Sequence, residues 1–224
     1  MSSAIVIAVD GTAASGKGTL AKRIAQHFGF AHLDSGSLYR LTALAVLEGG
    51  GDPHRESDAV KGARSMDLSR AGDPAIRSDV VGQAASHVAG IPAVRRALLA
   101  FQRGFLEQPP GGSYGAVMDG RDIGTVICPN ATAKLFVDAR PEVRAHRRWL
   151  ELKGLGIDRD PQSLLEELRA RDAADRSRPI SPMRPADDAD LLDTSDLDID
   201  AALAAALALV KPKVEAALKT LPRG

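Results

Sequence analysis

A single cysteine, Cys128, among 224 residues excludes an internal disulfide and fits a reducing compartment. Net charge is also missing, since 29 Lys and Arg balance 29 Asp and Glu, which argues against a general polyanion binder. Aromatic residues make up only 4%, too few for an aromatic-basic surface on which bases would stack. The five histidines show no metal-ligand spacing, so no protein-held metal cluster is expected. Long apolar runs are absent. Ala4–Val9 stops at Asp10 and has no basic segment before it, so it does not read as a signal peptide. Ala201–Val210, flanked by Asp200 and Lys211, is too short to cross a bilayer. What remains is an ordinary balance of 44% hydrophobic and 26% charged residues. The expectation is a soluble, cytoplasmic chain with no membrane or nucleic-acid partner, acting as a monomer on small molecules.

The hydrophobic pattern alternates strands with helices. Ile5–Val9 is a short β-branched run, the mark of a strand buried on both faces. Thr19–Phe28 places Leu20, Ile24 and Phe28 on one helical face. Phe30–Leu33 reads as a second strand, and Ser35–Leu47 as a helix closed by Gly49-Gly50-Gly51. Gly115–Met118 and Lys134–Val137 read as further strands, Leu191-Leu192 as part of a fifth, with helices near 92–107, 141–153 and 161–175. This order predicts an α/β fold, a five-stranded parallel sheet flanked by helices. Two stretches interrupt it: residues 50–80, poor in large apolar side chains, and residues 154–188, rich in arginine and proline. Positions 140–184 hold 11 Lys and Arg against 8 Asp and Glu, whereas 185–200 hold seven Asp and no cation.

The most specific signal is Gly11-Thr12-Ala13-Ala14-Ser15-Gly16-Lys17-Gly18-Thr19, lying between a predicted strand and a predicted helix. Glycines let the backbone wrap an anion, and the helix N-terminus adds positive potential, so a nucleoside triphosphate is the expected ligand. Lys17 would reach the β- and γ-phosphates. Gly18 stands where the standard loop has Ser or Thr, which removes the hydroxyl that usually meets magnesium.

Three other segments concentrate charge. Asp34-Ser35-Gly36 follows a strand, and taken alone Ser35 caps the next helix, with Arg40 a surface residue one turn on. Asp119-Gly120-Arg121-Asp122 follows Ala116-Val117-Met118, at the strand end where open parallel sheets bind ligands. Arg171, Asp175 and Arg178 stand at i, i+4 and i+7, an arc of ~60° over ~10 Å if the helix is continuous. A plain helix-surface salt bridge would use the same spacing.

Leu33-Asp34-Ser35-Gly36-Ser37-Leu38-Tyr39-Arg40, Met118-Asp119-Gly120-Arg121-Asp122-Ile123-Gly124-Thr125 and Arg171-Asp172-Ala173-Ala174-Asp175-Arg176-Ser177-Arg178-Pro179 together resemble the bacterial cytidylate kinases, over about residues 4 to 210. The resemblance implies a P-loop kinase fold with an inserted NMP-binding lobe (50–100) and a lid (154–176), hinged near Gly154 and Gly156. It implies ATP with Mg²⁺ as donor and CMP or dCMP as acceptor. It assigns Ser35 and Arg40 to the monophosphate, and Ser86, Arg95 and Asp122 to cytosine. Arg171 and Asp175 fall to the ribose, and Arg121 and Arg178 to phosphate. Asp119 falls where an acid orients metal-bound water. Lys17, Arg121 and Arg178 become the catalytic cations, and Arg144, Arg147 and Arg148 lead toward the triphosphate. Residues 55–80 are shorter and less strand-like than the family's usual insert. A kinase for UMP, AMP or another small acceptor, and an NTP-driven switch or nucleic-acid remodeller, are the rival readings.

Overall fold

The computed structural model describes residues 4–220, which divide into two compact units. One takes the chain up to Leu33 and again from Leu106; the other is Asp34–Phe105.

The larger unit is built on a five-stranded parallel sheet in the order β2-β3-β1-β4-β5. Its strands are β1 (Ile5–Gly11), β2 (Ala31–Asp34), β3 (Gly115–Gly120), β4 (Ala133–Asp138) and β5 (Asp190–Asp193). All seven residues of β1 are buried, as its unbroken apolar run predicts for a central strand. Ile5, Ile7 and Val9 share one face and pack with Leu20 and Ile24 of α1 (Lys17–Phe28) and Ala206, Val210 and Val214 of α8 (Ile199–Thr220). Burying each large aliphatic side chain there contributes roughly 1.5–3 kcal/mol. The closing helix runs well past the expected Ala201–Val210. It passes through Pro212 because buried Val210 and Val214 hold it to the core on both sides of that residue.

Register brings the chemistry-bearing strand ends level: Asp10 pairs Gly120 of β3 and Phe136 of β4, and Gly11 pairs Val137. Gly11 has φ 148°, and a Cβ there would lie 1.9 Å from the Val137 carbonyl oxygen, so only glycine fits where β1 turns into the loop. The acidic stretch 185–200 is neutralised locally. Asp188 pairs Lys134 and Asp190 pairs Lys213, each at 2.7 Å, and Asp196 pairs Arg140 at 2.6 Å. Asp198 accepts from the amides of Asp200 and Ala201 at the start of α8.

The smaller unit is built of helices joined by short loops. Its axis is α2 (Ser35–Glu48), with nine buried residues, against which α3 (Glu56–Ser65) and α4 (Asp79–Gly90) pack. α5 (Pro92–Glu107) closes it. Gly62 sets the α2–α3 approach: a Cβ there would stand 2.5 Å from Val46 Cγ2 and 2.8 Å from the Thr42 carbonyl oxygen. Residues 50–80, unassigned from periodicity, hold α3 and two 3-10 turns, Leu68–Gly72 and Pro74–Arg77, capped by Asp67 and Asp73. Arg70 ties them to α2 by reaching both Glu48 and Asp73 at 2.6 Å.

Candidate functional site

The loop Gly11–Thr19 folds between β1 and α1 as its glycines require. Gly16 takes a left-handed conformation (φ 88°) at the start of α1, and Ala14 is held at φ 57°. Lys17 occupies the first helical position and donates from Nζ to the Thr12 carbonyl at 3.1 Å. Gly18 sits against Asp119, whose Oδ2 would be 3.4 Å from a Cβ at that position, and Thr19 is exposed.

Behind the loop, charged groups grip its backbone. Arg144, on α6 (Pro141–Gly154), is buried and donates to the carbonyls of Ala139 at 2.8 Å and Ala13 at 3.0 Å. It pairs at 2.7 Å with Asp172 on α7 (Pro161–Ser177), whose other oxygen accepts from the Ala13 amide at 3.4 Å. Thr194 donates to the Ser15 carbonyl at 3.0 Å, and Arg147 donates to Thr194 and Ser15. Arg148 pairs Glu151 at 2.9 Å. Of the three arginines expected near a triphosphate, two therefore brace the loop, and the third, half-buried on α6, is paired with Glu151. Carbonyl and amide of one peptide point oppositely, so holding the Ala13 and Ser15 carbonyls from behind turns the next amides, of Ala14 and Gly16, the other way, as an anion cradle needs.

A second constellation gathers around Asp175. Arg121 Nε donates to its Oδ2 at 2.9 Å, and Arg178 bonds its other oxygen. Burial alone would push the Asp175 carboxyl up; Arg121, Arg178 and Arg171 outweigh it and hold the carboxyl below the usual carboxylate range. Three guanidinium groups against one carboxylate leave a positive surplus. The helix carrying this motif ends at Ser177, and Arg178 has extended backbone (φ −56°, ψ 131°). The continuous arc through position 178 is thus corrected: the chain leaves the helix and Arg178 turns its side chain back on Asp175. Asp119 Oδ1 lies 2.9 Å from His32 Nε2 and accepts from it in the tautomer that carries the proton there. Asp122 is buried at the head of a single π-type turn, Ile123–Ile127.

In the smaller unit, Asp34 rather than Ser35 caps α2, accepting from the Ser37 amide, while Ser35 is buried in the first turn. Asp34 keeps extended backbone (φ −77°, ψ 102°) while Ser35 is already helical, so Asp34 holds the capping position, which corrects the capping role expected of Ser35. Arg40 donates to the Ile76 carbonyl at 2.6 Å, and its guanidinium faces Gly82, whose carbonyl accepts from Ser86 Oγ at 3.2 Å. Arg95 is buried over the Tyr39 ring, 5.5 Å from its centroid, and donates to Ala89. Gly82 thus brings Arg40 and Ser86 together, and Tyr39 holds Arg95.

Sequence reasoning passed over Asp10, His32, Arg144 as a brace, Asp172 and Thr194. Asp10 carried a signal, a charge ending an otherwise apolar buried strand; Thr194 carried none.

A family model described as cytidylate kinase matches residues 7–212. The chain is 52% identical to a cytidylate kinase of Nitrobacter winogradskyi over 92% of this chain and 96% of the relative. It is 51% identical to one of Rhodospirillum rubrum over 93% and 98%. A solved structure of an uncharacterized protein from Eubacterium ventriosum shares the fold, with TM-score 0.52 at 13% identity, covering 92% of this chain and 98% of that one. No described helix is long and apolar enough to cross a membrane.

Proposed function

The chain belongs to the cytidylate kinase family, and from that premise we propose that it transfers the γ-phosphate of ATP to CMP or dCMP, giving ADP and CDP or dCDP. The observation that carries the reading is the cluster of Arg121, Arg171 and Arg178 on buried Asp175, in the same unit as the phosphate-cradling loop. Two polyanions must be held together for this reaction, and a loop plus a separate arginine cluster supplies a cationic seat for each.

Gly11–Thr19 takes the triphosphate, with Lys17 on the β- and γ-phosphates. Arg121 and Arg178 neutralise charge on the transferred group as the in-line displacement proceeds. A phosphate oxygen is already an anionic nucleophile, so no strong general base is needed. Positioning is the main task and can supply on the order of 7–11 kcal/mol. Arg171 and Asp175 serve the ribose. Asp122 accepts from the cytosine N4 amino group, and a carboxylate there repels the O4 of uracil. Ser35 and Arg40 are assigned to the monophosphate, and Ser86 and Arg95 to the base.

Mg²⁺ typically keeps several waters and binds through substrate phosphates plus one or two carboxylates. Asp119, beside side-chain-less Gly18, fits such a water-mediated hold. The ion would screen charge between the phosphates. We assign 154–176 as the lid, turning at Gly154 and at Gly156 (φ 75°), and 50–100 as the acceptor lobe. We also take the protein to be a cytoplasmic monomer.

The test is ADP formation from ATP and Mg²⁺ with CMP, dCMP, UMP or AMP supplied singly. Turnover with CMP and dCMP, and little with AMP, is expected. Fast turnover with UMP or AMP alone would replace the acceptor. Hydrolysis stimulated by DNA or RNA without transfer would sink the kinase reading.

A further inference from the structure

Asp119, assigned above to hold Mg²⁺ through water, is buried near the end of β3. Its backbone pairs with Val9 of β1, so both side chains lie on the sheet face that α1 covers. This placement brings Asp119 Oδ2 alongside Gly18, in the first turn of α1. Rotation about the last bond of an aspartate is broad, so strand register alone does not decide which way the carboxylate faces. A second contact decides it. Asp119 Oδ1 lies 2.9 Å from Nε2 of His32, which is half-buried on β2, the edge strand beside β3. An ionised carboxylate only accepts, so the pair is a hydrogen bond when His32 carries its proton on Nε2. His32 is the one polar side chain in Phe30–Leu33 and stands 87 positions from its partner.

We propose that His32 is a positioning residue for the donor's Mg²⁺: by donating from Nε2 to Oδ1, it fixes the plane of the Asp119 carboxylate so that Oδ2 faces the phosphate loop at Gly18. The inference rests on the reading of Asp119 given above. Carboxylates that serve a metal are themselves held by hydrogen bonds, and losing such a partner typically weakens the metal about 10–100-fold. The need is greater here because Gly18 replaces the hydroxyl that usually meets the ion directly. A carboxylate acting through water must be oriented by something else, and a neutral imidazole does so without adding negative charge beside the phosphates. His32, Asp119 and Gly18 all belong to the larger unit.

The test is calorimetric binding of ADP to the whole chain, once with saturating Mg²⁺ and once with EDTA. The readout is the ratio of the two Kd values, which involves no turnover. His32→Phe keeps a ring and removes the donor. It is expected to lose about half or more, on a logarithmic scale, of the Mg²⁺-dependent gain that Asp119→Asn loses, with the Kd in EDTA within about twofold. His32→Gln, whose NH2 group stands near the place of Nε2, should recover most of the gain. In an Asp119→Asn background, His32→Phe should change the ratio by less than about twofold, because the residue it positions is already impaired. Equal weakening of ADP with and without Mg²⁺, or no recovery by His32→Gln, would reduce His32 to packing and overturn the proposal. If Asp119→Asn itself leaves the ratio unchanged, the reading of Asp119 fails and the inference falls with it. Nitrogen-15 NMR of the wild-type imidazole gives a check that needs no variant. A proton on Nε2 of His32 is expected, and a bare Nε2 with the proton on Nδ1 would overturn the proposal.

Discussion

Asp10 and Asp175 are both buried, yet their surroundings drive their carboxyls in opposite directions. Asp175 meets three guanidinium groups, which overcome its burial and keep it ionised. Burial pushes the Asp10 carboxyl up from its ordinary 3.8 to about 7, against the amides of Gly124 and Ile123 and with Asp122 adding to the rise. A carboxyl whose folded value lies above its unfolded value binds a proton more readily in the native state. Its contribution to stability is therefore full below about 3.8 and is lost as pH rises through about 7. Comparing wild type with Asp10→Asn by urea unfolding should show the wild-type advantage falling by about 1.4 kcal/mol per pH unit inside that window. Above about pH 8, where Asp10 is ionised in both states, the difference should be flat. An advantage constant from pH 4.5 to 7 would contradict the shift.

At the scale of elements, α6 and α7 are joined to the phosphate loop through one buried ion pair, Arg144 with Asp172. Removing one partner strands the other in a low-dielectric site. Arg144→Ala should cost about 3–5 kcal/mol in denaturant unfolding, whereas Arg144→Met with Asp172→Leu should cost far less. The single variant should also raise the KM for ATP, since the Ala13 carbonyl loses its anchor. Equal losses for both variants would show that packing rather than charge holds the helices. This brace also marks where sequence reading stops. β1, the loop and α1 were legible because an apolar run, glycines and a helical stripe are local patterns. The strand preceding Asp119–Asp122 was legible for the same reason. Arg144, by contrast, sits in a run of arginines that look alike in sequence, and only the fold buries it while leaving Arg148 half-buried and paired with Glu151. The smaller unit's α3 was missed because its buried face is made of Ala59, Gly62 and Ala63, too small to register as a hydrophobic stripe. The i, i+4, i+7 arc held only for a continuous helix, and Pro179 ends it: a proline disfavours helical backbone at the residue before it, so the chain leaves α7 after Ser177 and Arg178 is extended.

For the whole molecule, the two units differ in how they are held. The larger is organised by a sheet whose core joins β1, α1 and α8. The smaller has its own buried set along α2, including Leu38, Leu41 and Val46, with Ile76 and Val88 from the segments that follow. Separate cores open separately, so a single unfolding free energy need not describe both. Every group placed here on the triphosphate, and every brace behind the loop, belongs to the larger unit. ATP binding at about a hundred times its Kd adds roughly 2.7 kcal/mol to whatever unit must be folded to bind it. Hydrogen exchange with ATP and Mg²⁺ should therefore slow the β1 and α1 amides by about two orders of magnitude, provided they exchange by opening of the larger unit. Amides of α2 between Leu41 and Val46 should keep their ligand-free rates. Slowing of equal size in both sets would mean that the units open together, and that the division into two cores carries no thermodynamic weight.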